Sequence, residues 1–305
     1  MDKPLRFVPF LRPLVWGGRR LAETLGKPLP TAEPYGESWE VSDHPLHRSV
    51  VATGPHAGTT LRHLMGHHAE SLVGPAGGGT FPWLVKFLDA NDWLSVQVHP
   101  DEQAVRRLLP GEGSKTEAWF ILDAAPSSRI YAGLRPGTDE ARLLAALAAG
   151  TVTECLHSFE PRPGDCVFLP AGTVHAVGGG VLMAEVQQTS DATFRLYDWD
   201  RKDAKGNSRP LHVEESMASI HWSRGPVAPV RAEGYGEVRA GQAVGARRQQ
   251  LVECRYFRLE YVQDSERFAC EGDGRLQALI VVRGRGRLET PAGAEALALL
   301  VASLP

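Results

Sequence analysis

Two short segments, far apart in the chain, constrain this sequence more than any other feature. The first is Leu94-Ser95-Val96-Gln97-Val98-His99-Pro100-Asp101. The second is Gly164-Asp165-Cys166-Val167-Phe168-Leu169-Pro170-Ala171-Gly172-Thr173-Val174-His175. In the first, Gln97 and His99 stand two apart in an apolar strand pattern, so their side chains share one face. In the second, a glycine turn opens an apolar strand, Pro170-Ala171-Gly172 closes it, and His175 follows at a fixed offset. Together the two segments read as one metal site.

At 305 residues the chain is long enough for one large domain or two ordinary ones, with ample core. The formal net charge of −3 disfavours a nucleic-acid or anionic-membrane surface. It leaves room for a local basic pocket that takes an anionic substrate. Met1 to Leu5 opens no signal-peptide pattern, and no apolar run is long enough to span a bilayer. Cys155, Cys166, Cys254 and Cys270 form no C-x-x-C, so free thiols in a cytoplasmic protein are expected.

Glycine and proline are scattered, as suits many short strands joined by turns. Strand patterns fall at Ser38 to Val41, Leu84 to Leu88, Ala118 to Leu122 and Cys166 to Leu169. Helix is expected from Asp101 to Leu109, which begins with acids and stops at Pro110. It is also expected from Thr138 to Gly150, which has a cap, strong helix formers and a terminal glycine. A boundary is expected in Ser223 to Gly241. Beyond it, Tyr256 to Val262 and Gln277 to Val282 read as strands, the latter running into a glycine-rich hairpin signal at Arg283 to Leu288. Residues 1–224 are thus expected to form a catalytic domain with helical insertions, and residues 225–305 a second, smaller jelly roll. That second unit has no histidine, so it is expected to hold no metal. Its stop at Leu304-Pro305, where a further strand pair is expected, reads as truncation or incomplete closure.

The second segment resembles the cupin motif G-x5-P-x-G-x2-H at each defining position up to the histidine. The resemblance implies a mainly β fold, a double-sheet jelly roll holding a metal between two such strands. Four residues could then converge on one divalent ion: Gln97 through its amide oxygen, His99 and His175 through imidazole nitrogens, and Glu117 through its carboxylate. A typical cupin places its glutamate a few residues after its paired histidines; here the expected helix from Asp101 to Leu109 fills the interval. The mixed donors suit zinc, and also iron, manganese, cobalt or nickel. His63, His67 and His68 are a decoy. The zincin motif needs glutamate directly after the first histidine, and Leu64 stands there, so a polar helix face is expected. Gly77-Gly78-Gly79 and Gly178-Gly179-Gly180 lack the Lys-Ser/Thr of a phosphate loop and read as turns.

Longer stretches narrow the reading. Phe81 to Asp89, Leu94 to Pro100, Lys115 to Glu117, Pro170 to Ala176 and Glu185 to Arg201 resemble the short bacterial form of type I mannose-6-phosphate isomerases. The resemblance covers most of residues 5–222 and weakens beyond about residue 225. It implies that Gln97, His99, Glu117 and His175 are zinc ligands, that Arg195 is the catalytic arginine, and that Lys86, Ser95, Lys115 and Glu185 are active-site positions. Such an enzyme interconverts mannose 6-phosphate and fructose 6-phosphate through an enediolate. An arginine over the reacting carbons stabilises the developing charge. A carboxylate carries the proton. Glu185 is the preferred base, on the expectation that it and Arg195 share one wall; Asp191 or a metal-bound water are the alternatives. Lys86, Lys115 and Ser95 suit a phosphate. An isomerase or epimerase acting on another sugar, and a non-catalytic sugar-binding cupin, are the competing functions.

Overall fold

The computed structural model describes residues 4–74, 78–202, 205–236, 246–264, 269, 276–290, 293–298 and 301–304. Gly77, Cys270, Pro305 and the end of the Ser223 to Gly241 stretch lie outside the described residues.

The fold is mainly β, a jelly roll of two facing antiparallel sheets. The larger has seven strands, in the order Val230–Arg231, Asp165–Leu169, Glu117–Ala124, Val181–Gln188, Trp83–Ala90, Tyr35–Val41 and Phe10–Gly18. The smaller has five, in the order Leu156–Phe159, Ile130–Leu134, His175–Val177, Val96–Val98 and Phe194–Tyr197. Between them lies a dry cluster that includes Leu88, Trp119, Ile121 and Met183 from the first sheet and Ile130, Ala132 and Val177 from the second. Alternation along each strand sends the other residues outward. Val85, Phe87, Ala118, Phe120 and Val186 pack with Leu61, Leu64 and Met65 of the Leu61–Val73 helix. Val96, Val98, Val174, Phe194 and Leu196 pack with Leu143 and Ala146 of the Glu140–Ala148 helix.

The expected helices form, and their caps explain where they start. Asp101 accepts from the backbone N–H groups of Gln103 and Ala104 ahead of the Glu102–Leu108 helix. Asp139 caps the Glu140–Ala148 helix through the N–H of Arg142. His63, His67 and His68 lie exposed on the Leu61–Val73 helix, on the polar face expected for them.

Two motif glycines have steric reasons. Gly164 and Gly172 adopt φ of +92° and +88°, a left-handed conformation that favours glycine. A side chain at Gly172 would also collide with the ring of His221. The Gly172 N–H donates to the His99 carbonyl at 2.7 Å, which ties the two motif segments together.

Past residue 224 the chain first adds Val230–Arg231 to the edge of the seven-stranded sheet. The strands Arg247–Glu253 and Arg258–Gln263 then form a hairpin, and Arg285–Thr290 pairs with Gly293–Ala298. Val301–Leu304 pairs with Gln277–Ile280 on one side and with Leu5–Arg6 on the other. Leu251, Val252 and Phe257 bury themselves in the same outer cluster as Phe87 and Phe120.

Candidate active site

On the inner face of the five-stranded sheet, strand register sets three polar side chains in a row. Gln97 lies directly opposite His175 on one neighbour and Arg195 on the other. His99 follows just past the end of the Val96–Val98 strand, and Glu117 approaches from the first position of its strand in the facing sheet.

These groups close around one point. His99 Nε2 lies 3.2 Å from Glu117 Oε2, and His175 Nε2 lies 3.5 Å from Glu117 Oε1. The ligand-type atoms of His99, Glu117 and His175 all fall within 4.8 Å of one another, and the three residues are buried. Each histidine is held from behind: Nδ1 of His99 faces the Ala192 carbonyl at 2.9 Å, and Nδ1 of His175 faces the Thr173 carbonyl at 2.9 Å. A carbonyl can only accept, so Nδ1 carries the proton and the Nε2 lone pair points at the glutamate. This backing is what metal-bound histidines use to fix tautomer and ring orientation. Gln97 completes the ring with its amide nitrogen 3.1 Å from His175 Nε2; a half-turn of the amide presents its oxygen instead.

The residues fit a divalent cation. His99 Nε2 and Glu117 Oε2 are buried polar atoms that satisfy no hydrogen bond, a costly arrangement unless an ion takes them up. Burial, with the Lys115 charge, depresses His99 to about 3, and burial also lowers His175. Burial acts to raise Glu117, but Lys115 and His99 hold it well below the ordinary carboxylate value. Neutral imidazoles and an ionised carboxylate are the protonation states that metal binding requires.

Other sequence-selected residues line the same space. Lys115 Nζ lies 3.2 Å from Glu117 Oε2. Ser95 is buried and donates to Gln97 Oε1 at 3.3 Å. Lys86 is buried directly opposite Glu185 across two adjacent strands, its ammonium 3.1 Å from Glu185 Oε1. Burial acts to lower Lys86, but Glu185 and Glu37 drive it above the ordinary lysine value. Burial raises Glu185 to about 7 even though Lys86 opposes the shift. Arg195 is half-buried, and its Nη1 donates to the Pro210 carbonyl at 2.8 Å. Asp191 lies exposed on the loop before Phe194, apart from the buried cluster but near enough to add to the field at Lys86.

Residues 5–118 match the type I phosphomannose isomerase catalytic domain. The mannose-6-phosphate isomerase ManA of Bacillus subtilis is 37% identical over 286 residues, which cover 94% of this chain and 87% of the relative. The chain belongs to the type I phosphomannose isomerase family. A crystal structure of the mannose 6-phosphate isomerase from Bacillus subtilis superposes with a TM-score of 0.87 at 30% identity, covering 99% of this chain and 93% of that one. A more distant mannose 6-phosphate isomerase, bound with zinc and yttrium, shares the fold at a TM-score of 0.71 and 18% identity, covering 98% of this chain and 93% of that one.

Within this phosphomannose isomerase fold one sequence expectation needs correction. Glu185 and Arg195 do not share a wall: Glu185 belongs to the seven-stranded sheet and Arg195 to the five-stranded one. The loop between Gln188 and Phe194 carries the chain across, so the two side chains approach the space from opposite sheets. Sequence reasoning also missed Glu37 and His212. Glu37 is a buried acid in the Tyr35–Val41 strand, every residue of which is buried; a carboxylate in such a strand was the available signal. The Arg195 N–H donates to His212 Nδ1 at 3.1 Å, and the His212 N–H donates to the Arg195 carbonyl at 2.7 Å. Nothing local in the sequence marks that pair.

Proposed function

We propose that this chain interconverts mannose 6-phosphate and fructose 6-phosphate, using one zinc ion held by Gln97, His99, Glu117 and His175. The observation that carries the reading is the convergence of two back-bonded neutral imidazoles and a buried carboxylate between the sheets. Mixed nitrogen and oxygen donors suit zinc, and a distant isomerase of the same fold is solved with it. When bound, the ion supplies a Lewis acid for the sugar oxygens on the reacting carbons.

The protein's own groups do the rest. After ring opening, Glu185 takes the proton from C2 of the aldose and leaves an enediolate. It then returns the proton to C1 while the O2 hydroxyl proton passes to O1, which gives the ketose. A buried carboxyl raised toward neutrality is suited to both halves of that transfer. Arg195, from the opposite sheet, stabilises the negative charge that develops on the enediolate oxygens. Lys115, at the glutamate ligand, steadies the same charge. Lys86, Ser95 and the exposed Asp191 orient the sugar phosphate, the lysine by its fixed positive charge.

Residues 1–224 carry this chemistry, and residues 225–305 contribute packing. The reduced, buried thiols of Cys155 and Cys166 suit the cytoplasm, and among the described residues no helix is long and apolar enough to cross a membrane. A coupled assay on mannose 6-phosphate, beside glucose 6-phosphate and free mannose, tests the reading. Turnover is expected on mannose 6-phosphate alone of the three. Preference for glucose 6-phosphate, or no turnover of any, would overturn it.

A further inference from the structure

A row of alternating charges crosses the inner face of the seven-stranded sheet, and the reaction as described uses only one end of it. Arg12 lies directly opposite Glu37 on neighbouring strands. Glu37 is diagonal to Lys86, which has Trp39 directly opposite on one side and Glu185 directly opposite on the other. Cross-strand neighbours at these positions are close enough for their side chains to interact. Arg12 Nη1 donates to Glu37 Oε2 at 2.7 Å, and Trp39 Nε1 donates to the same oxygen at 2.8 Å. The other oxygen, Oε1, accepts from Lys86 Nζ at 3.4 Å. Glu37 is therefore held on three sides.

The sharing of Lys86 is uneven in a telling way. Its ammonium stands 3.1 Å from Glu185 Oε1, yet the hydrogen bond goes to Glu37, and Glu185 Oε1 satisfies none. With Glu185 as its one acidic neighbour, so deeply buried an ammonium would give that carboxylate all of its charge-assisted hydrogen bonding. Here a second carboxylate, anchored by Arg12 and Trp39, shares the ammonium, which stands 3.1 Å from Glu185 and 3.4 Å from Glu37.

We propose that Glu37 is a positioning residue for the isomerisation: it holds the Lys86 ammonium between two carboxylates, so that Glu185 is not locked into an exclusive ion pair and stays available to carry the proton. Arg12 supports this from the outer end, because it balances and orients Glu37. The proposal rests on the reading of Glu185 as the proton carrier. Glu37 itself touches no reacting atom in this scheme. Neutralising it leaves Glu185 to answer the Lys86 charge without Glu37, which ties up the base and shifts its geometry. A misplacement of about 1 Å in a reacting group costs on the order of 10²-fold in rate.

The test is steady-state kinetics on mannose 6-phosphate for the wild-type chain, Glu37→Gln, Glu37→Asp and Arg12→Gln, with metal content and melting temperature measured on each. Glu37→Gln is expected to lower kcat by about 10- to 100-fold, with KM changed far less. Metal content should stay at the wild-type value. Glu37→Asp should recover a large part of kcat, and Arg12→Gln should fall between it and wild type. A kcat for Glu37→Gln within about twofold of wild type would overturn the proposal. So would a loss that tracks metal content or melting temperature and is no better in Glu37→Asp, since that marks a merely structural acid. A second arm does not depend on the substrate. Unfolding of Glu37→Gln, Lys86→Met and the double variant should be strongly non-additive, because the two groups answer each other. If wild type does not turn over mannose 6-phosphate, the functional reading fails, and this cycle still decides whether Glu37 holds Lys86: additive effects would overturn that hold.

Discussion

The seven-stranded sheet has two faces of opposite character drawn from the same strands. Toward the five-stranded sheet it presents Glu37, Lys86, Glu117 and Glu185, set beside Trp39 and Trp119. On the reverse it presents Val85, Phe87, Ala118, Phe120, Ala184 and Val186, all in one apolar cluster. Lys86 stands between Val85 and Phe87, and Glu185 between Ala184 and Val186. The period of two lets neighbouring residues serve unrelated ends. The outer face stabilises the fold through area removed from water, while the inner face is divided between an apolar part with Leu88, Ile121 and Met183 and a part that accumulates charge the fold must support. Burial therefore does not separate scaffold from chemistry here; the facing direction of each side chain and its place along the strand do.

Substitutions on either face should sharpen that contrast. The largest effect on turnover is expected from His99→Ala on the inner side. It removes a proposed ligand, so metal analysis should show the ion lost and turnover should fall on the order of 10³-fold or more. Arg195→Ala comes next, with kcat reduced about 10²- to 10³-fold while metal content and melting temperature hold. Retained turnover in that variant would make Arg195 a structural group. On the outer side, Phe87→Ala should cost about 3–5 kcal/mol of stability in denaturant unfolding, with turnover per folded molecule unchanged. A specific loss of kcat there would mean that the two faces are coupled.

Smaller effects are expected farther out. Arg248 and Glu260 form an ion pair 2.7 Å apart, as do Arg258 and Glu253 at 3.0 Å, on the C-terminal hairpin. Exposed pairs of this kind contribute roughly 0–1 kcal/mol. Replacing Arg258, Glu260 or Arg285 by alanine should leave metal content and turnover near wild type. A large loss of turnover at full thermal stability would bring residues beyond 224 into the site. Least of all should change in His63→Ala and His67→Ala. Their rings stack 4.1 Å apart on an exposed helix face, with no carboxylate gathered beside them to complete a metal site among the described residues. Equal metal content in those variants and wild type is the expected result.

What could be read from the sequence follows from how local each signal is. His175 and its glycines lie within one short segment, and Gln97 and His99 are separated by a single residue. The turn chemistry and strand period there need no knowledge of distant partners, and the structure brings all four candidate ligands together. The caps at Asp101 and Asp139 are local in the same sense. The charge row from Arg12 to Glu185 is not, because it exists only once four strands are in register. Adjacent strand and turn patterns suggest one wall for Glu185 and Arg195, whereas the loop after Gln188 changes sheets. The pairing of Val301–Leu304 with Leu5–Arg6 joins the two ends of the described chain, and no spacing within either segment announces it.

The most direct measurement is mannose 6-phosphate turnover followed through removal and return of the metal. Purified protein is expected to carry about one divalent ion per chain, to lose turnover on exhaustive chelation, and to recover it when zinc is restored. Full turnover of mannose 6-phosphate by the metal-free chain would contradict the central claim.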